Sequence, residues 1–128
     1  MKQPPIQQIN YYKGNTLRTS FTFVDIIEGE PEPANLDLDT EVTYLAQVRL
    51  HPMSTPILAT IGNDYFEIGN SDENTPNIKD QLIITCPPNI LQSVPEGNWH
   101  MDVFRYYDGE ADCLVITPIN FIENVTKQ

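Results

Sequence analysis

The sequence predicts an all-β fold, an antiparallel sandwich of about seven or eight short strands. Three observations predict it: apolar residues recur with period two, turn residues punctuate the runs, and one segment alone has helical character. The chain has 128 residues, the size of a single domain able to bury a core without metal or disulfide. Its organisation reads as an extended N-terminal arm over residues 1–10, then one sandwich domain over residues 11–128.

Each run supports that reading. Leu17, Thr19, Phe21 and Phe23 alternate with Arg18, Ser20 and Thr22, the pattern of a half-buried strand. Val42, Tyr44, Ala46, Val48 and Leu50 share one face of the next run, opposite Thr43, Gln47 and Arg49, with Leu45 the apolar exception. Short runs follow at 57–61, at 66–68 and at 81–86. Trp99, Met101 and Val103 face one way in a further strand, with His100, Asp102 and Phe104 on the other side. A last strand covers 112–116 and continues over 119–125. The expected core is Phe21, Phe23, Tyr44, Val48, Trp99, Met101 and Val103.

Turn chemistry separates these runs. Lys13-Gly14-Asn15 precedes the first long strand, Gly62-Asn63-Asp64 has hairpin composition, and Asp108-Gly109 is the strongest hairpin signal. Pro87-Pro88 ends a strand, because proline donates nothing to a ladder. Residues 88–93 read as one short helical turn with proline at its start.

Eighteen acidic against seven basic residues give a net charge of −11. The bases are scattered singly, which argues against nucleic acid or an anionic membrane as partner. Seven acids and no base fall between Asp25 and Glu41, read as a solvated loop or a surface for a basic partner. No apolar run is long enough to span a bilayer, and Met1–Pro5 has no apolar run behind it, so no signal peptide is expected. Cys86 and Cys113 are expected as free thiols, and Asn124-Val125-Thr126 as a glycosylation triplet that goes unused without secretion.

Chemistry-bearing patterns are sparse. The chain has no Gly-rich phosphate loop, no Cys-x-x-Cys and no nucleophile elbow, and His51 and His100 stand apart from other ligands. Asp37, Asp39 and Glu41 share one face of an extended segment, where the choice lies between calcium ligation and plain solvation. No catalytic residue, cofactor or metal is therefore assigned. Interaction is expected through surfaces instead. The candidates are Ile6 and Ile9 of the arm, the turn-flanking doublets Tyr11-Tyr12 and Tyr106-Tyr107, and the acids Glu28, Glu30, Glu32, Asp37 and Asp39.

The order of motifs resembles the Ig-like domain of tailed bacteriophages typified by the N-terminal domain of baseplate upper proteins. The motifs are Lys13-Gly14-Asn15-Thr16, Gly29-Glu30-Pro31, Leu36-Asp37-Leu38-Asp39-Thr40, Tyr44–Arg49, Val94-Pro95-Glu96-Gly97-Asn98-Trp99, Asp108-Gly109-Glu110 and Asn124-Val125-Thr126. Together they span residues 12–126, and the acidic stretch is longer than the family's usual loop. The resemblance implies an Ig-like sandwich and a non-enzymatic virion structural protein. That protein would be a small adaptor or accessory piece of the tail, baseplate or head–tail junction. Its partners would be other virion proteins in multiple symmetric copies. It would be made in the host bacterial cytoplasm and located in the virion. The alternatives are a capsid-surface decoration protein and a module binding a host protein or glycan.

Overall fold

The structure is a computed structural model and describes residues 8–33, 36, 41–51, 56–74 and 78–123. Among these it has ten strands and one α-helical turn, an all-β sandwich. In chain order the strands are β1 (Ile9–Tyr12), β2 (Leu17–Thr22), β3 (Val24–Ile27), β4 (Glu30–Pro33), β5 (Thr43–Arg49), β6 (Ile57–Ile61), β7 (Phe66–Gly69), β8 (Gln81–Cys86), β9 (Gly97–Tyr107) and β10 (Glu110–Ile122). The helical turn α1 is Pro88–Leu91, where the proline-led segment was expected.

Two sheets face each other. One has five strands in the order β1-β10-β9-β5-β6, the other three in the order β2-β8-β7, and β3 and β4 form a separate hairpin. Pairing is antiparallel except at one edge, where β1 runs parallel to β10 with Ile9 opposite Ile119 and Tyr12 opposite Ile122. Ile9 and Asn10, expected in a free arm, are thus part of the domain's own sheet.

The core lies between the sheets. Alternation places Tyr44, Ala46 and Val48 of β5 and Met101 and Val103 of β9 against Phe21 of β2 and Leu82 and Ile84 of β8, with Phe23 just beyond β2. Leu91 and Val94 close one end from α1 and the turn after it. Trp99 departs from expectation: it packs against the core but is only half-buried, and its indole N–H donates to the Pro95 carbonyl at 2.9 Å. The strand register is nevertheless the expected one. Gly97 explains the rim position, since it has φ +148° and a Cβ there would lie 2.8 Å from the indole.

Three turns refine the sequence reading. Asp108 and Gly109 both have positive φ (53° and 78°) and join β9 to β10 as a two-residue type I′ turn, as expected. Glu28 and Gly29 (53° and 83°) do the same between β3 and β4, so part of the acidic stretch is a hairpin and not a loop. In such a hairpin the Ile27–Glu30 pair is hydrogen-bonded, so Pro31 and Pro33 fall where no donor is needed. Gly62-Asn63-Asp64 makes no hairpin. The chain crosses there from β6 in one sheet to β7 in the other through a 3-10 turn at Asn63–Tyr65. Asn63 Oδ1 accepts the backbone N–H of Tyr44 at 2.8 Å and ties the crossing to the start of β5.

The strand expected over 112–116 with its continuation from 119 is β10, which ends at Ile122; residues 124 and 125 of that expectation lie outside the described residues. β10 carries a bulge between Cys113 and Val115, and Pro118 sits one residue before the β1 ladder begins.

Candidate interaction surface

The residues singled out from sequence fall into different environments. Tyr11 is a correction. As the inward residue of β1 it is buried, and its ring meets Phe121 edge-on at a centroid distance of 5.0 Å. Its hydroxyl donates to the Asn15 carbonyl at 2.7 Å, and burial raises its pKa. Tyr12, next along the strand, points the other way and is 50% exposed. Ile9 is half-buried against the core, so it is not available for a neighbour in the way expected of an arm residue.

Tyr106 and Tyr107 remain exposed on the β9–β10 hairpin, on opposite faces. The Arg105 guanidinium lies 5.7 Å from the Tyr107 ring centroid, and Phe104 lies beside Tyr106 with centroids 6.4 Å apart. Glu28 and Glu30 are exposed at the β3–β4 turn. Glu32 belongs to β4, and its side chain lies outside the description; Ile6, Asp37 and Asp39 lie outside the described residues. Among the described residues, those named from sequence do not converge on one spot.

Sequence reasoning missed the outer face of the five-stranded sheet, the side turned away from the three-stranded sheet. The sequence placed Asp102 on the side of its strand opposite Trp99, Met101 and Val103. It is 0% exposed, and its carboxylate lies 3.3 Å from Nε of Arg49, whose side chain is 12% exposed. Asp102 sits opposite Gln47 of β5 and Ile116 of β10, next to His100 and Phe104 on its own face. Arg49 also donates to the Gln47 side chain. Leu45 lies directly opposite Phe104, and Phe104 is buried although it faces outward. Leu45 and Phe104, apolar residues on otherwise polar sides of their strands, were the sequence signals that this face is not ordinary solvent-facing sheet.

The thiols differ. Cys86 is buried in β8 and desolvation pushes it up to about 11; Cys113, exposed at the β10 bulge, is also raised, first by desolvation and then by the charge of Asp102. Among the described residues, no three His, Cys, Asp or Glu side chains are grouped to hold a metal, and no helix is long and apolar enough to cross a membrane. No protein-family model matches the chain, and no curated protein is significantly similar to it.

Proposed function

We propose that the chain is a bacteriophage virion structural protein, a small adaptor or accessory component of the tail, baseplate or head–tail junction, acting through protein–protein contacts. The observation that carries the reading is the coincidence of motif and backbone need. Gly14, Gly97 and Gly109 all occupy positive φ, and each stands in a motif that resembles one of the Ig-like phage domain. The order of those motifs follows the order of turns in the sandwich, from the β1–β2 turn through the entry of β9 to the β9–β10 hairpin. Contact residues of the usual interface types, Tyr106, Tyr107 and Arg105, stand on that last hairpin. Mass spectrometry of purified virions of the encoding phage tests the proposal. The chain is expected at a fixed copy ratio to the major tail or capsid protein. Virions that lack it would remove the reading.

A second reading, a glycan-binding module, rests on a shallow concavity of about 190 Å³ between β1 and β2. Tyr12 borders it beside Asn10, Asn15, Thr16 and Arg18, an aromatic ring among hydrogen-bonding groups. Glycan-array binding that Tyr12→Ala abolishes would favour this reading over the first.

A further inference from the structure

We infer that the free edge of β1, where the concavity lies between β1 and β2, takes up an extended acidic peptide segment of another protein as an added strand. The inference rests on the reading of the chain as one that works through protein–protein contacts.

The backbone supplies the first argument. β1 and β2 each stand last in their sheet, so the far edge of each is unpaired among the described residues. In a parallel ladder, alternate residues of a strand turn both backbone groups toward the same neighbour. The Lys13 N–H donates to the Ile122 carbonyl at 2.9 Å, so Ile9, Tyr11 and Lys13 are the residues turned toward β10. Asn10 and Tyr12 turn their backbone groups the other way. The Tyr12 carbonyl accepts the Asn15 N–H at 3.1 Å within the turn. The Asn10 N–H, the Asn10 carbonyl and the Tyr12 N–H remain along the free edge. Donor, acceptor and donor in that spacing are what an added strand pairs with.

Shape is the second argument. The concavity of about 190 Å³ is lined by all four residues of β1 and by residues 15–18. It follows β1 along its whole length, as a slot beside a strand. It is smaller than the ~300–1,000 Å³ sites that enclose a drug-sized ligand. The turn that walls it is fixed in advance. The Tyr11 hydroxyl donates to the Asn15 carbonyl at 2.7 Å, and the Lys13 bond ties the same turn to β10. A preformed slot spares an incoming segment part of the ordering cost.

Charge is the third argument and selects the segment. Residues 1–24 hold three of the seven bases and none of the eighteen acids. Arg18 lines the slot and Lys13 opens the turn beside it, and neither forms an ion pair among the described residues. β8, the neighbour of β2, carries no charge, and β10 carries none over the residues that pair with β1; Glu123 follows one residue later. On a chain of net charge −11, a slot with two unpaired bases favours an acidic segment over a basic one.

Amide NMR of the isotope-labelled full chain tests the inference, and the same spectra establish that each variant folds. The probe is a capped hexapeptide of alternating glutamate and valine, expected to shift the Asn10 and Tyr12 amides at sub-millimolar concentration. The same peptide methylated on its backbone nitrogens, and a lysine–valine counterpart, are each expected to bind at least ~10-fold more weakly. Asn10→Pro removes the donor on the free edge and leaves the β10 ladder intact, so it is expected to fold and to lose at least ~10-fold in affinity. Asn10→Ala keeps that donor and is expected to bind as wild type does. Arg18→Glu, at an exposed position of β2, is expected to cost the acidic peptide at least ~10-fold. The inference is overturned if the acidic peptide leaves those amides unmoved up to millimolar concentration, or if the methylated or lysine peptide binds equally well. It is overturned too if Asn10→Pro binds normally, or fails to fold, since the latter would show that the Asn10 N–H serves the ladder. Arg18→Glu binding as wild type would remove the charge argument and the inference with it. Glucuronic acid that shifts the same amides at lower concentration than the peptide would assign the slot to a glycan and likewise overturn strand addition. None of these results alters the copy number of the chain in purified virions, so failure of this inference and failure of the virion reading are told apart.

Discussion

Replacing Asp102 with alanine removes a carboxylate that no water reaches and takes its charge away from the Arg49 guanidinium, whose Nε lies 3.3 Å from it. Breaking a buried pair from one side costs about 3–5 kcal/mol, because the remaining charge is left desolvated. Arg49 keeps its contact to Gln47 and is 12% exposed, so part of its charge can turn toward water. The expected loss is therefore about 2–4 kcal/mol, well above the ~0–1 kcal/mol of a solvent-exposed pair. Urea unfolding at one fixed protein concentration measures it. The double variant Arg49→Met with Asp102→Leu removes both charges and fills the space with apolar atoms. It is expected to lie within about 1 kcal/mol of wild type. An Asp102→Ala loss below about 1 kcal/mol would refute the reasoning, because the pair would then be behaving as a hydrated surface contact.

Other substitutions probe separate parts of the account. Gly97→Ala is expected to cost about 2–3 kcal/mol by thermal unfolding, because its φ of +148° is unfavourable to a side chain and its Cβ would press on the Trp99 ring. Trp99→Ala is expected to cost about 2–3 kcal/mol, less than the ~3–5 kcal/mol of a fully buried aromatic, because the indole is only half-buried. Gly29→Ala is expected to cost about 1 kcal/mol by distorting the β3–β4 turn, where φ is +83°. At pH 8 a thiol reagent is expected to modify exposed Cys113 in the folded chain. Cys86, buried and titrating near 11, is expected to react only on unfolding.

Alternation made much of the fold legible. Tyr44, Ala46 and Val48 are inward because residues two apart share a face, and the same rule placed Met101 and Val103. Asp108-Gly109 named its turn because both positions need positive φ. The misses have a common physical origin in what local pattern omits. Gly62-Asn63-Asp64 has turn chemistry, but turn chemistry does not say whether the next strand joins the same sheet. The β3–β4 hairpin was hidden because its acids and prolines read as loop, although Glu28-Gly29 supplied a usable turn. Tyr11 and Tyr12 looked equivalent as a doublet, yet adjacent strand residues must point to opposite faces. Alternation also takes the second face of a sheet to be wet. Asp102 departs from that assumption: it is buried, among Gln47, Arg49 and Ile116 of β5 and β10, strands distant from it in sequence.

Cryo-electron microscopy of the intact particle tests the central claim most directly, that this sandwich is a virion component working through its surfaces. The account predicts density fitted by this fold at a symmetric position in the tail, baseplate or head–tail junction, with the β9–β10 hairpin in contact with another chain. A complete particle reconstruction in which no density accommodates the sandwich would contradict it.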